Sequence, residues 1–426
     1  MEDLKTFCTA CDQVYCYGTG ETARVLSRYF RQQKIHISGY FVTKQGTTTR
    51  FRGKEVREFS PEQISATDGV IITVTAEDFI VEIRHALEAA GCQNIFLAIE
   101  DRGFLSFSRK SYRKKISQLR RCSVFDYQTL MQEVDYAYSP QERRGDSFAY
   151  GIYRCVRKYV KNPRYDVSKC AISHGTLLAP FFTPWDLHPA DGNCFTMSRL
   201  VWEEIPNVSV HALGPYILYA KPLYTYPKLQ RLKRRLGKTL LFFPVHASSD
   251  CKMPFDAHEA IRRLQVLKKQ YGFRTVLVCM YYMNLQQGEH LPYLQAGFQV
   301  VTAGSSNDPS FLSRLRSIIQ LGDVGVTNAV GTHMGYCVSL GLPVYFLKMV
   351  IDRSEERGTL LRYMAGRYSD ALRDQAMQAE GEIEACFREY REFITEEQYR
   401  IIEKYWGKWN RRRHLRWVAF GIIWVA

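Results

Sequence analysis

No stretch of this 426-residue chain reaches the ~18 uninterrupted apolar residues that a membrane-spanning helix needs. The opening residues, Met1 to Lys5, bring neither a basic start nor an apolar run, so they do not read as a signal peptide. A cytoplasmic protein is the expectation. Proline and glycine, 15 and 28 residues, do not rise above ordinary usage, and 46% of residues are hydrophobic, which excludes a low-complexity or disordered chain. Twelve cysteines are scattered, and only Cys8 and Cys11 stand in a C-x-x-C. A structural zinc site needs a second ligand pair at similar spacing, and none exists. Inert, mostly buried thiols are therefore expected, and no metal. The length predicts two or three domains, each able to bury a core.

Acidic residues are missing from two places and nearly so from a third, and this localises the net charge of +15. Arg109 to Arg121 holds seven basic residues and no acid; Tyr224 to Lys238 holds six and none; Glu403 to Arg416 holds six and one. Outside them, 39 basic residues face 42 acidic ones. Charge so concentrated predicts contact with a polyanion or an anionic membrane surface, the alternative being solvated linker helices. No nucleic-acid-binding motif accompanies the islands, so nucleic acid is not an expected partner.

Residues 13 to 99 read as strand and helix in alternation. Apolar runs at Gln13 to Tyr17, Ile35 to Val42, Gly69 to Thr75 and Asn94 to Ile99 predict strands; Val25, Leu26, Tyr29 and Phe30 predict an amphipathic helix. A second helix, from about Glu77, is expected to stop at Gly91. This is the pattern of a parallel, Rossmann-like sheet. Residues 123 to 222 are less regular, with a strand leading into His174 and another at Asn207 to Ala212. Residues 238 to 347 alternate again: strands at Thr239 to Phe243, Arg274 to Met280, Phe298 to Thr302, Val324 to Thr327 and Pro343 to Leu347. Asp256 caps a helix with Ile261, Leu264 and Leu267 inward, and Pro309 to Gln320 is helical. From Asp352 onward the chain is expected to be helical. The expected divisions are a Rossmann-like domain at 1–108, a basic linker at 109–122, one lobe at 123–235, a second at 236–402 and a basic, tryptophan-rich tail at 403–426.

The strongest chemical signal runs from Asp323 to Phe346. A strand ends in Asn328, Ala329, Val330 and Gly331, and a helix is predicted to start at about Thr332. Free N–H groups and the positive helix end then face whatever lies beyond the strand. Gly331 permits close backbone approach, the Thr332 hydroxyl can bond a phosphate oxygen, and His333 follows. An ordinary βαβ turn is the plain alternative. On these residues the segment resembles the donor-binding lobe of GT-B glycosyltransferases and the related non-hydrolysing sugar-nucleotide 2-epimerases, where a Ser-Gly-Gly-type loop holds the diphosphate. Here Asn328 and Gly331 to His333 replace that loop, and Leu342 replaces the usual lysine. It also resembles a bacterial capsule and O-antigen biosynthesis group. Phe242 to Ser249 is similar to the first strand–loop of such lobes, which implies that His246, Ser248 or Ser249 faces the donor phosphates. Tyr281, after a strand, could stack on a base or belong to the core.

The N-terminal Gly18, Gly20 and Ala23 match G-x-G-x-x-A between a predicted strand and helix. The acidic residue expected after the second strand is absent. Together with Phe51 to Val56 the block resembles the N-terminal domain of sugar O-acyltransferases, which implies a structural or weak nucleotide-binding role for Gly18 and Gly20. No Asp-x-Asp occurs anywhere, which argues against metal-dependent GT-A transferases. The expectation is thus an α/β protein, a Rossmann-like domain followed by two Rossmann-like lobes (GT-B). It would move a sugar from a nucleotide-sugar to a surface polysaccharide or lipid-linked glycan, with no cofactor or metal required. His174 or Asp191 would supply the acceptor-side base. A non-catalytic sugar-nucleotide-binding protein and a 2-epimerase-like enzyme are the alternatives. Trp406, Trp409, Trp417 and Trp424, beside Arg411 to Arg413 and Arg416, suit a membrane interface; a docked terminal helix is the alternative.

Overall fold

The computed structural model describes residues 3–46, 49–75, 77–138, 149–173, 175–182, 189–201, 207–246, 252–356, 358 and 369–410. The chain divides into two compact units, Met1–Gln118 with Val134–Arg143, and Leu119–Glu133 with Arg144–Ala426.

In the first unit β1 (Val14–Tyr17), β2 (Gly39–Val42), β3 (Arg50–Phe51), β4 (Lys54–Glu58), β5 (Gly69–Ile72) and β6 (Asn94–Leu97) form one sheet in the order β3-β4-β2-β1-β5-β6. All pairs are parallel except the β3–β4 hairpin at the edge. The fully apolar β5 has both faces covered, as a central parallel strand must. Gly18 adopts φ +103°, and a Cβ there would lie 2.8 Å from Thr73 Oγ1. Only glycine lets the turns after β1 and β5 approach this closely. Gly20 opens the Glu21–Gln33 helix, whose first-turn carboxylate, Glu21, accepts from the backbone N–H of Tyr136. Arg24 and Arg28 both bond Asp135, at 2.8 Å, so residues 134–138 are strapped onto this helix. The first basic island, expected as a linker, is the continuation of the Arg102–Leu119 helix.

The second unit holds two parallel sheets. A small one has β7 (Ala171–Ile172), β8 (Asn193–Thr196) and β9 (Ser209–Ala212) in sequence order. The larger has β10 (Thr239–Phe243), β11 (Thr275–Cys279), β12 (Gln299–Val301), β13 (Val324–Thr327) and β14 (Val344–Phe346) in the order β12-β11-β10-β13-β14. This is a doubly wound sheet whose order reverses between β10 and β13. Side-chain alternation along β10 explains its two cores. Leu240 and Phe242 meet the Ala257–Gln270 helix on one face, and Leu241 and Phe243 point to the other. That second core also contains Ile172, Phe195 and Met197, so the regions expected as separate lobes share one apolar interior. Among the described residues the smaller lobe contributes three strands.

The chain is not helical throughout from Asp352: among the described residues helices span Asp370–Phe387 and Glu396–Trp406, separated by a break at 388–395. Ser369 and Thr395 cap them, Thr395 through a capping box with Gln398. The last helix reaches the small sheet. Ser198 Oγ donates to Lys404 O (2.8 Å) and Thr176 Oγ1 to Tyr405 O (3.0 Å). Gly407, at φ +80°, leaves no room for a Cβ against Met197 O. Trp406 is fully buried, and Trp409 is half-buried, 6.3 Å from the Tyr399 ring. The expectation of an interfacial indole therefore fails for Trp406, which is a core residue. Residues 411–426, the rest of the expected tail, lie outside the described residues. No described helix is long and apolar enough to cross a membrane.

Candidate functional site

The carboxyl ends of the two sheets in the second unit meet. Thr332 Oγ1, at the start of the Thr332–Ser339 helix after β13, accepts from Thr176 N at 3.2 Å, beyond the end of β7. A Cβ on Gly175 would lie 3.0 Å from the same oxygen. The hydroxyl proton of Thr332 donates to none of the described residues, so the group both braces the two sheets and keeps a donor. Trp406 Nε1 donates to Thr332 O (3.1 Å), and its ring covers Gly335 so closely that a Cβ there has no place. The helix start is thus held from two sides.

Gly331 precedes this helix in an extended conformation and offers no side-chain cap. Its glycine identity has a local cause: a Cβ would meet His333 Nδ1 at 3.0 Å. Among the described residues, no acceptor meets the N–H groups of Gly331, Thr332 or His333. Such a helix start favours an anion.

The His333 ring stacks on Phe243, centroids 4.9 Å apart, with Nε2 2.8 Å from Thr327 Oγ1. Thr327 donates its one proton to Ala329 O (2.8 Å), so His333 Nε2 must be the protonated nitrogen and donates to Thr327. Burial first, and the charge of neighbouring His246 second, push the imidazole down to about 3 from its ordinary 6.5. His333 is therefore neutral at physiological pH, too weak a base to collect a proton there. Asn328 is buried and fixes the crossing of the two central loops, accepting from Val245 N at 2.7 Å. His246, next along, is exposed, its ring 5.2 Å from that of Tyr281. Tyr281 caps a short helix after β11; burial raises its phenol, opposed by hydrogen bonds with Ser306, Tyr150 and Tyr282.

The structure thus gathers Asn328, Gly331, Thr332, His333, His246 and Tyr281 around the strand-order reversal. Gly18 and Gly20 belong to the other unit. His174, Ser248 and Ser249 lie outside the described residues. Asp191 is a correction. It precedes β8, at the amino edge of the small sheet, where Oδ1 accepts from Asn193 N (3.0 Å) and Oδ2 from Tyr165 OH (3.0 Å). A parallel sheet sends the β7 carboxyl end to the opposite edge, so Asp191 does not share a site with Ser173 and Gly175. It is a turn-capping residue. Sequence reading missed Thr327, Thr176 and Trp406; only Thr327 left a local trace, six residues before His333. Among the described residues no group of three or more His, Cys, Asp or Glu side chains is placed to hold a metal ion. The Cys8 thiol is pushed up to about 12, by burial first and its neighbour Cys11 second.

No family model and no curated protein matches the chain. Among solved structures it is similar to a protein assigned as a UDP-N-acetylglucosamine 2-epimerase from Listeria monocytogenes, at 11% identity and TM-score 0.30, covering 93% of this chain and 96% of that one. It is also similar to ADP-heptose LPS heptosyltransferase II of E. coli (8% identity, TM-score 0.22, 79% and 84% covered). A third is TcCGT1 in complex with UDP (9% identity, TM-score 0.25, 95% and 94% covered). The architecture is α/β with Rossmann-type parallel sheets. Strand order and parallel register give this architecture by themselves.

Proposed function

We propose that the second unit binds a nucleotide-sugar where the carboxyl edges of its two sheets meet, and transfers the sugar to a surface polysaccharide or lipid-linked glycan. The observation that carries the reading is the set of unpaired N–H groups at Gly331, Thr332 and His333, beside exposed His246, at the β10/β13 reversal. In the transfer, an acceptor hydroxyl oxygen attacks the anomeric carbon, the bond from that carbon to the phosphate oxygen breaks, and the nucleotide leaves. The N–H groups stabilise the charge growing on the departing phosphate, a task otherwise given to a cation. His246 orients that phosphate or donates a proton to it; neutral His333 does neither and holds the loop. His174 is the remaining candidate base for the acceptor proton. An anionic membrane surface is the proposed place of work.

A second reading is binding without turnover, favoured by the His333 imidazole, which burial pushes down to about 3 and so leaves unable to take a proton from an acceptor. Calorimetric titration with UDP-, GDP-, CDP- and CMP-sugars tests the first step. Thr332→Ala should weaken phosphate binding by about 0.5–1.5 kcal/mol, and Thr332→Ser should restore it. Failure of every nucleotide to bind overturns the reading. Binding without transfer supports the second reading, and release of free sugar from a UDP-sugar without acceptor supports a 2-epimerase-like enzyme. Transfer should survive EDTA; a loss that Mg²⁺ reverses overturns the metal-free assignment.

A further inference from the structure

The Tyr226–Leu236 helix packs on the large sheet through Leu229 and Leu236 and carries no acidic residue. Lys228, Arg231, Arg234 and Arg235 line its exposed side over a length of about 10 Å. The only basic side chain on the helix with an ion-pair partner among the described residues is Lys233, 3.0 Å from Asp323.

Tertiary contacts bring further cations to the same face. Tyr224 OH bonds Ser123 Oγ and Val124 N, both at 3.0 Å, which seats the end of the first basic island beside this helix. Lys228 lies 4.8 Å over the Tyr224 ring and Arg235 5.8 Å over the Phe125 ring. Exposed Arg120 and Arg121 immediately precede that segment. At the other end, Arg274 borders Gly237 so closely that a Cβ on the glycine would meet Arg274 Cδ at 2.7 Å. Arg120, Arg121, Lys228, Arg231, Arg234, Arg235 and Arg274 form no ion pair with any described carboxylate. Arg120 and Arg121, at the end of one island, therefore adjoin the cations of another far away in sequence.

We propose that this face docks on an anionic lipid bilayer, its cations meeting lipid phosphates while Tyr226, 55% exposed at the start of the helix, sits at headgroup level. A bilayer suits it better than a nucleic acid, because exposed cations on the helix and its flanks stand beside the exposed ring of Tyr226, which combines phosphate contacts with an interfacial aromatic. The helix ends just before β10, whereas the crevice opens beyond the far end of that five-residue strand, about 17 Å away. Docking thus leaves the crevice open to water. The inference rests on the proposed place of work at a membrane, and its test needs no nucleotide.

The full chain is sedimented with vesicles of phosphatidylcholine alone and with 30% phosphatidylserine, at low and high salt. It should bind only the anionic vesicles, more weakly as salt rises. The triple variant Arg231→Gln, Arg234→Gln, Arg235→Gln should lose about a hundred-fold in partitioning, about five-fold per cation removed, with an unchanged circular dichroism spectrum and unchanged nucleotide titration. The control variant Arg411→Gln, Arg412→Gln, Arg413→Gln should retain most of the binding. Loss in the control with retention in the triple variant overturns the proposal, as does indifference of the parent to anionic vesicles. RNA that displaces the parent from vesicles at equal phosphate concentration overturns the choice of partner. A nucleotide titration that fails while vesicle binding follows this pattern refutes the transferase reading and leaves the docking face standing.

Discussion

Trp406 offers the sharpest perturbation, because one side chain touches both the core and the helix start at the crevice. Its indole is fully buried, donates to Thr332 O at 3.1 Å and lies flush against Gly335. Trp406→Phe keeps most of the ring and removes the donor. Thr332 O keeps its place in the helix, so the cost should be near that of one hydrogen bond, about 1 kcal/mol. Trp406→Ala also removes the packed ring and should cost about 3–5 kcal/mol. Gly335→Ala attacks the same contact from the other side by overpacking, for about 1–3 kcal/mol. Against a typical stability of about 5–15 kcal/mol, the alanine variant at 406 is severe and the other two are measurable. Urea unfolding followed by far-ultraviolet circular dichroism reads all three, with the slope compared so that only midpoint changes are counted. Trp406→Ala and Gly335→Ala should also weaken nucleotide binding, since they disturb the helix start that carries the amides of Thr332 and His333. A Trp406→Ala variant within about 0.5 kcal/mol of the parent, with an unchanged slope, would refute the core assignment and return this tryptophan to the membrane interface.

Arg314 is fully buried, with its guanidinium on Asp308 (2.6 Å), Ala303 O (2.9 Å) and Leu119 O (2.9 Å). Arg314→Leu strands a buried carboxylate and should cost about 3–5 kcal/mol in urea unfolding, and the double variant with Asp308→Asn should cost less than the sum of the singles. For His333 the folded imidazole titrates at about 3, below its ordinary 6.5, so between those values the unfolded chain binds the extra proton. Its contribution to stability is full above about pH 6.5 and falls as pH drops toward 3. Unfolding measured from pH 4 to 8 should therefore show a shallower decline in His333→Gln than in the parent; identical slopes would mean the imidazole is charged in the fold.

Local chemistry determined the strands and the helix starts. β10 spans Thr239–Phe243 and β13 Val324–Thr327, where apolar runs alone place them, and the helix after β13 begins at Thr332. Asp256 accepts from the N–H groups of His258 and Glu259, as its spacing ahead of Ile261, Leu264 and Leu267 requires. A cap acts within one turn and a buried face repeats every two or three to four residues, so a short window of sequence contains the whole cause. What tertiary structure decided depends on groups far apart in the chain. Asn328 belongs to the crevice through Val245, 83 residues away, and Thr332 is shared between Thr176 and Trp406, 156 and 74 residues away. The glycine at 331 makes room for the His333 imidazole, and which nitrogen of that ring carries the proton follows from where Thr327 sends its own. Asp191 looked catalytic by residue type alone, and the direction of β8 put it at the wrong edge of the sheet. Basic residues at 120–121 and 228–235 joined one face only when Tyr224 met Ser123 and Val124. Sequence sets the pieces because their causes are short-ranged; packing sets their company, because shape and partner are properties of the folded whole.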